Sequence, residues 1–144
     1  MKHDGLNTKK TPNLEDILSF VTTGNASPVL HEIKHALTAL LEKGETTVID
    51  LGALPFAPGD ERLLDEVLGE GEVQATLNVF GKSIVQETGI PGVWRVDHFD
   101  ENGETQSRFI EITFMPDILK TQSDDAERGL DTLIERLKDL NNNR

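Results

Sequence analysis

EVQATLNVFGKSIVQETGIPGVWRVDHFDENGETQSRFIEITFM, residues 72–115, settles the fold class. At its start Val73, Ala75, Leu77 and Val79 alternate with Glu72, Gln74, Thr76 and Asn78, the two-residue period of a strand with one wet face. Gly81 turns the chain into a second strand, Ser83 to Thr88, and Pro91-Gly92 turns it again into a third, Val93 to Asp100. Asn102-Gly103 is the strongest short hairpin signal, because both residues tolerate positive φ; it predicts that Val93 to Asp100 pairs antiparallel with Thr105 to Met115. A two-residue turn there sets Asp97 opposite Arg108, an opposite-charge pair that suits the register. Val93, Phe99, Ile110, Ile112 and Phe114 then share one face, and Trp94, Val96, Phe109 and Met115 the other.

Upstream of this stretch the period changes. Residues 1–12 are polar and aperiodic, a loose tail ending at Pro12. Asn13 and Asp16 carry the signature of a helix N-cap, with Leu14, Ile17, Leu18 and Val21 as a short apolar stripe. Ser27-Pro28 predicts the start of a longer helix running to Lys43, with Leu30, Ile33, Leu37, Leu40 and Leu41 inward and Gly44 as its C-terminal cap. Thr46 to Leu51 is β-branched and short, hence a strand, and Pro55 and Pro58 make the next segment a loop. Asp60 is placed to cap a helix with Leu63, Leu64, Val67 and Leu68 inward, stopped by Gly69-Glu70-Gly71. Downstream, Ser123-Asp124-Asp125 opens a last helix with Leu130, Leu133, Ile134, Leu137 and Leu140 on one face. The expected fold class is α+β, in the order α-β-α-β-β-β-β-α: a mostly antiparallel sheet of about five strands with helices packed on one side. Residues 1–26 are read as a tail with a possible short helix, 27–140 as a single domain and 141–144 as a frayed end.

The composition narrows the function. With 26 acidic against 14 basic residues the formal charge is −12, which repels nucleic acid and anionic membrane surfaces. No apolar run is long enough to cross a bilayer, and Met1 to Lys10 lack the apolar stretch of a signal peptide, so a cytoplasmic location is expected. Cysteine is absent, which removes disulfides, thiolate nucleophiles and cysteine-ligated metal clusters.

His31-Glu32-Ile33-Lys34-His35 matches the HExxH pattern, in which two histidines one helical turn apart bind zinc and the glutamate activates the bound water. A zinc-dependent hydrolase using His31 and His35 is therefore the alternative function. Against it, both histidines lie nearly opposite the apolar stripe of their helix and should face solvent, and Lys34 sets a cation beside them. Gly69-Glu70-Gly71 follows a helix and precedes a strand, the reverse of a dinucleotide-binding loop. Asp97, His98 and Asp100 cluster only on paper, since strand neighbours point to opposite faces. No nucleophile elbow surrounds any serine. More informative are the two apolar faces of the hairpin. Helices over one face leave Trp94 and its neighbours as a patch open to a partner or a second copy, unless a helix or the N-terminal segment covers them or a register slip moves them inward.

Several segments together carry a family likeness: Pro28 to Leu37, Val48-Ile49-Asp50-Leu51 with Leu54-Pro55, Pro58-Gly59-Asp60, Leu68-Gly69-Glu70-Gly71-Glu72-Val73, and Glu87-Thr88 leading into Ile90-Pro91-Gly92-Val93-Trp94-Arg95-Val96, then His98 and the strand around Glu111. The sequence resembles the HupH/HyaF type of hydrogenase expression/formation proteins over about three quarters of its length, fading through the last helix. The ordered pair LGEGEV and IPGVW is the most specific part of the match. The resemblance implies a chaperone-like accessory protein in nickel–iron hydrogenase maturation, without enzymatic activity or cofactor. Its implied partner is a hydrogenase subunit, with the iron–sulfur small subunit favoured, or another maturation factor; a homodimer is also possible on this reading. Family members are often longer, with a related additional domain, and often carry Arg where this chain has His31. Gly69, Gly71, Pro91, Gly92, Trp94, Val96 and Phe109 are the candidate partner-binding residues, although turn geometry and packing account for the same residues architecturally.

Overall fold

The computed structural model describes residues 11, 13–78 and 81–143, and in it the period-two stretches join into one antiparallel sheet of five strands. These are β1 (Thr47–Asp50), β2 (Gln74–Asn78), β3 (Lys82–Glu87), β4 (Val93–Phe99) and β5 (Thr105–Ile112), ordered β1-β5-β4-β3-β2. The helices are α1 (Leu14–Leu18), α2 (Ala26–Lys43), α3 (Pro58–Leu68) and α4 (Ser123–Asn142). The expected α+β class, element order and antiparallel sheet are all present. The N-terminal tail through residue 10, Pro12, Val79 and Arg144 lie outside the described residues.

The β4–β5 hairpin keeps the expected register by an unexpected route. Asp97 pairs with Arg108, and the two side chains approach to 3.7 Å. The connection, however, is a three-residue loop: the Asp100 N–H donates to the Glu104 carbonyl at 2.8 Å and the Gly103 N–H to the Asp100 carbonyl at 3.0 Å. Asp100 Oδ1 accepts from the Asn102 and Glu104 amides at 2.8 and 2.9 Å, an Asx turn that competes with the two-residue alternative. A register shift between His98 and Phe99 sets Phe99 opposite Thr105. This bulge in β5 absorbs the extra loop residue, so the rest of the hairpin pairs as a two-residue turn would have it.

One face of the sheet carries Ile49, Val93, Ile110 and Ile112, and these form the core with Val29, Ile33, Ala36 and Leu40 of α2 and Leu64 and Leu68 of α3. The stripe of α2 is therefore rotated from the expected one. Small Ala36 sits at the contact, where it lets the helix approach the sheet. Leu30 and Leu37 end up half-buried at the edge, and Leu41 is 75% exposed. On α3 the same division leaves Val67 50% exposed while Leu64 is buried completely. Both helices are apolar over a wider arc than the sheet can cover.

Helix starts follow backbone geometry more than the first polar residue. α2 begins at Ala26, after Asn25, so Pro28 falls within the first turn, where its missing N–H costs nothing. α3 begins at Pro58 after Ala57, and Asp60 is its third residue, not its cap. The Asp60 carboxylate is only 1% exposed. It accepts from the Ala57 amide at 2.9 Å, the Thr23 amide at 2.9 Å and the Thr23 hydroxyl at 2.6 Å. Burial pushes this carboxyl up, but the hydrogen bonds from Thr23, Ala57 and Gly24 together outweigh it and hold the group down at about 2. Beside it the Gly59 N–H donates to the Val21 carbonyl at 2.7 Å, so close that a Cβ on Gly59 would lie 2.5 Å from that oxygen. Pro58-Gly59-Asp60 thus ties the segment after α1 to the start of α3. α1 itself is closed by the expected reciprocal capping of Asn13 and Asp16.

The chain divides into two compact units, residues 1–114 with the sheet and the first three helices, and residues 115–144 with α4. α4 is long, amphipathic and has no buried residue.

Candidate partner-binding surface

The segments around Gly69-Glu70-Gly71 and Thr88 to Trp94, far apart in sequence, meet at one end of the sheet. The Gly71 N–H donates to the Glu87 carbonyl and the Gly89 N–H to the Leu68 carbonyl, both at 2.8 Å. Gly69 caps α3 at φ +64. Gly71 has no room for a side chain, since a Cβ there would lie 2.5 Å from the Thr88 carbonyl oxygen. The buried Thr88 hydroxyl donates to the Val93 carbonyl at 2.8 Å and accepts from the Ile90 amide at 3.1 Å, which fixes the turn carrying Pro91 and Gly92. Gly92, at φ +95, faces Leu37 of α2. The four candidate residues Gly69, Gly71, Pro91 and Gly92 therefore belong to one junction.

Trp94 and Val96 do not form the open patch that the hairpin faces suggest. They are 6% and 1% exposed. The strand order makes β4 the middle of the sheet, with Glu87 and Val85 of β3 on one side and Glu111 and Phe109 of β5 on the other. A central position is walled in by neighbours on both flanks, which the sequence pattern does not reveal. The indole N–H of Trp94 donates to the Thr113 carbonyl at 3.1 Å, so its polar handle is used inside the domain. Phe109 is half-buried and meets His98 edge-on, with ring centroids 5.9 Å apart.

Exposed apolar surface lies beside the junction instead. A cleft of about 390 Å3 is lined by Leu37, Leu40, Leu41, Glu87, Pro91, Gly92, Trp94 and Phe114. Phe114 is 70% exposed because β5 ends at Ile112, short of the expected Met115. An adjoining groove of about 370 Å3 runs between α2 and α3, walled by Leu30, Leu37, Leu41, Val67 and Ile90. Pattern reading misses Leu41, Val67 and Phe114 as surface residues, because it assigns all three to packed positions. The available signal is the adjacency of Leu40 and Leu41: about 100° apart around the helix, they cannot both sit at the centre of the buried face. A third cleft, about 420 Å3 and polar, holds Arg95 and Arg108. Arg95 pairs with Asp65, and Arg108 with Glu61 and Asp97, so both cations are already balanced.

His31 and His35 are exposed on α2, as the helical phase predicts, and so are Glu32 and Lys34, the latter at the edge of the α2–α3 groove. Among the described residues no three His, Cys, Asp or Glu side chains come together as a metal site. His98 contacts the Ser83 hydroxyl through Nδ1 at 2.7 Å, on the face opposite Asp97. No helix among the described residues is long and apolar enough to cross a membrane.

The junction residues fall within a longer match. Residues 23–140 fit the family described as HupH hydrogenase expression protein, C-terminal conserved region. The chain belongs to the HupH family. The match continues to residue 140 and so takes in α4, where the motif likeness fades. Similar proteins include the hydrogenase expression/formation protein HupQ of Azotobacter chroococcum, 34% identical over 81% of this chain and 40% of the relative, and HoxQ of Azotobacter vinelandii, 32% identical over the same shares. The chain thus spans about 40% of the length of these HupH-type relatives. The structure of the hydrogenase expression protein HupH from Thiobacillus denitrificans superposes with a TM-score of 0.79 at 42% identity, covering 83% of this chain and 99% of that one.

Proposed function

We propose that this HupH-family domain is a non-catalytic accessory protein in nickel–iron hydrogenase maturation, acting in the cytoplasm by holding a hydrogenase subunit. The relatives named as hydrogenase expression/formation proteins support the process. The small, iron–sulfur-bearing subunit is the favoured partner. A chain without cysteine has no thiolates with which to carry a cluster, so its help reaches an immature subunit through contacts. The observation that carries the reading is the apolar cleft beside the junction of the two family motifs, open at Pro91 and Phe114 and lined by Gly92. Val96 serves it from beneath as part of the strand that presents Pro91, while Trp94, largely buried, forms part of the cleft wall.

Tagged protein recovered from cells making the hydrogenase should bring down the small subunit. Phe114→Lys, an exposed change that leaves the core intact, should reduce that recovery at least about tenfold. Failure to recover either hydrogenase subunit, together with normal hydrogenase assembly after deletion of the gene, would reject the proposal.

A further inference from the structure

The five-stranded sheet ends at β2, whose far side pairs with no other strand among the described residues. The Glu87 N–H donates to the Val73 carbonyl at 2.9 Å. In the unbroken β2–β3 register this pair sets Ala75 and Leu77, opposite Val85 and Ser83, to bond with β3 as well. Gln74, Thr76 and Asn78 therefore turn their backbone N–H and C=O groups away from β3, along the outer edge. Sheet edges are ordinarily blunted by charge, proline or a bulge. β2 has none of these, and it alone among the five strands carries no charged residue. Its side chains at Gln74, Thr76 and Asn78 are exposed, and Ala75 and Leu77 on the other face are half-buried.

We infer that β2 pairs antiparallel with the β2 of a second copy of this chain, about a two-fold axis at Thr76, so that the two sheets become one. The strand's own sequence selects a copy of itself as the occupant. With Thr76 opposite its counterpart, Gln74 faces Asn78 and Ala75 faces Leu77. Every outward-facing residue then meets another, and about six backbone hydrogen bonds form. Amide meets amide, hydroxyl meets hydroxyl, and small Ala75 makes room for Leu77, each a favourable cross-strand pair. A slip of one residue would set outward-facing backbone groups against inward-facing ones, and a longer slip would pair less of the strand. Two chains of net charge −12 repel each other least along the one strand that has no charge. The contact is isologous and closes, which limits assembly to two copies. A strand of five residues covers less than the roughly 800 Å2 per partner of a standard interface, so the dimer is a weak one, with a Kd of roughly micromolar to millimolar.

Sedimentation equilibrium of the full chain, over a series reaching about 1 mM, tests this. The expected result is a monomer–dimer equilibrium. Thr76→Lys and Thr76→Glu should each raise the dimer Kd about fivefold or more, because like charges then meet across the axis. Circular dichroism should be unchanged, since the Thr76 side chain is exposed and its backbone groups do not bond to β3. Thr76→Lys also reduces the net charge from −12, so its effect could not be ascribed to greater overall repulsion. A mixture of the two variants brings an ammonium opposite a carboxylate and should recover most of the association. A chain that stays monomeric throughout overturns the inference. So does a dimer indifferent to both single changes, which would mean another interface, and so does a mixture of folded variants that fails to recover, which would mean that Thr76 is not on the axis. No residue of β2 lines the cleft at Phe114, so the small-subunit test stands or falls separately.

Discussion

Asp60 is the clearest case of one residue holding distant parts of the chain together. Its carboxylate gathers donors from Thr23 and Ala57 and is sealed from solvent. The folded-state value of about 2 lies below the ~3.9 of an unfolded aspartate. A depressed carboxylate contributes stability that is fully present above the unfolded value and is lost as pH falls towards the folded one. Thermal melts should therefore show wild type well above Asp60→Asn at neutral pH, with the gap closing between about pH 4 and pH 2. A gap independent of pH would mean the carboxylate is not ionised in the fold. Pattern reading places Asp60 at a helix start correctly, but its partner Thr23 lies 37 positions away and carries no local signal.

At the level of elements, two glycines show two different demands. Gly103, at φ +82 in the β4–β5 loop, has open space where a Cβ would stand, with nothing within 4 Å, so only its backbone conformation matters. Gly71 has ordinary φ, but a Cβ there would meet the Thr88 carbonyl oxygen. Gly103→Ala should cost about 1–2 kcal/mol in urea unfolding, with Asn at that site recovering much of the loss because it tolerates the left-handed region. Gly71→Ala should cost ~1–3 kcal/mol through displacement of the junction, and Asn there should be worse than Ala. Equal tolerance of Asn at both sites would contradict this division. The hairpin itself is legible because Asn102-Gly103 and the Asp97–Arg108 pair act locally. The loop length is not, because Asp100 accepting from Asn102 and Glu104 and the compensating bulge decide it jointly.

For the molecule as a whole, the main core cluster among the described residues runs from Val29 to Ile112. Hydrogen exchange should find Val96 and Ile110 amides among the slowest. The α4 amides should exchange faster by orders of magnitude, because no buried side chain holds that helix. Equal protection in α4 would contradict this expectation.

Fold class, order of elements, hairpin register and family can all be read from the amino acids alone, because periodicity, turn chemistry and motif order are local and survive without a partner. The solvent-facing phase of His31 and His35 belongs with these, being a matter of angle along one helix. It takes the packed fold to put β4 in the middle of the sheet, which buries Trp94 and Val96 and moves the exposed apolar surface to Leu41, Val67 and Phe114. Exposure depends on which elements become neighbours. Strand order and helix rotation about the sheet are settled by packing among residues far apart in the chain, and no window of sequence contains both sides of those contacts.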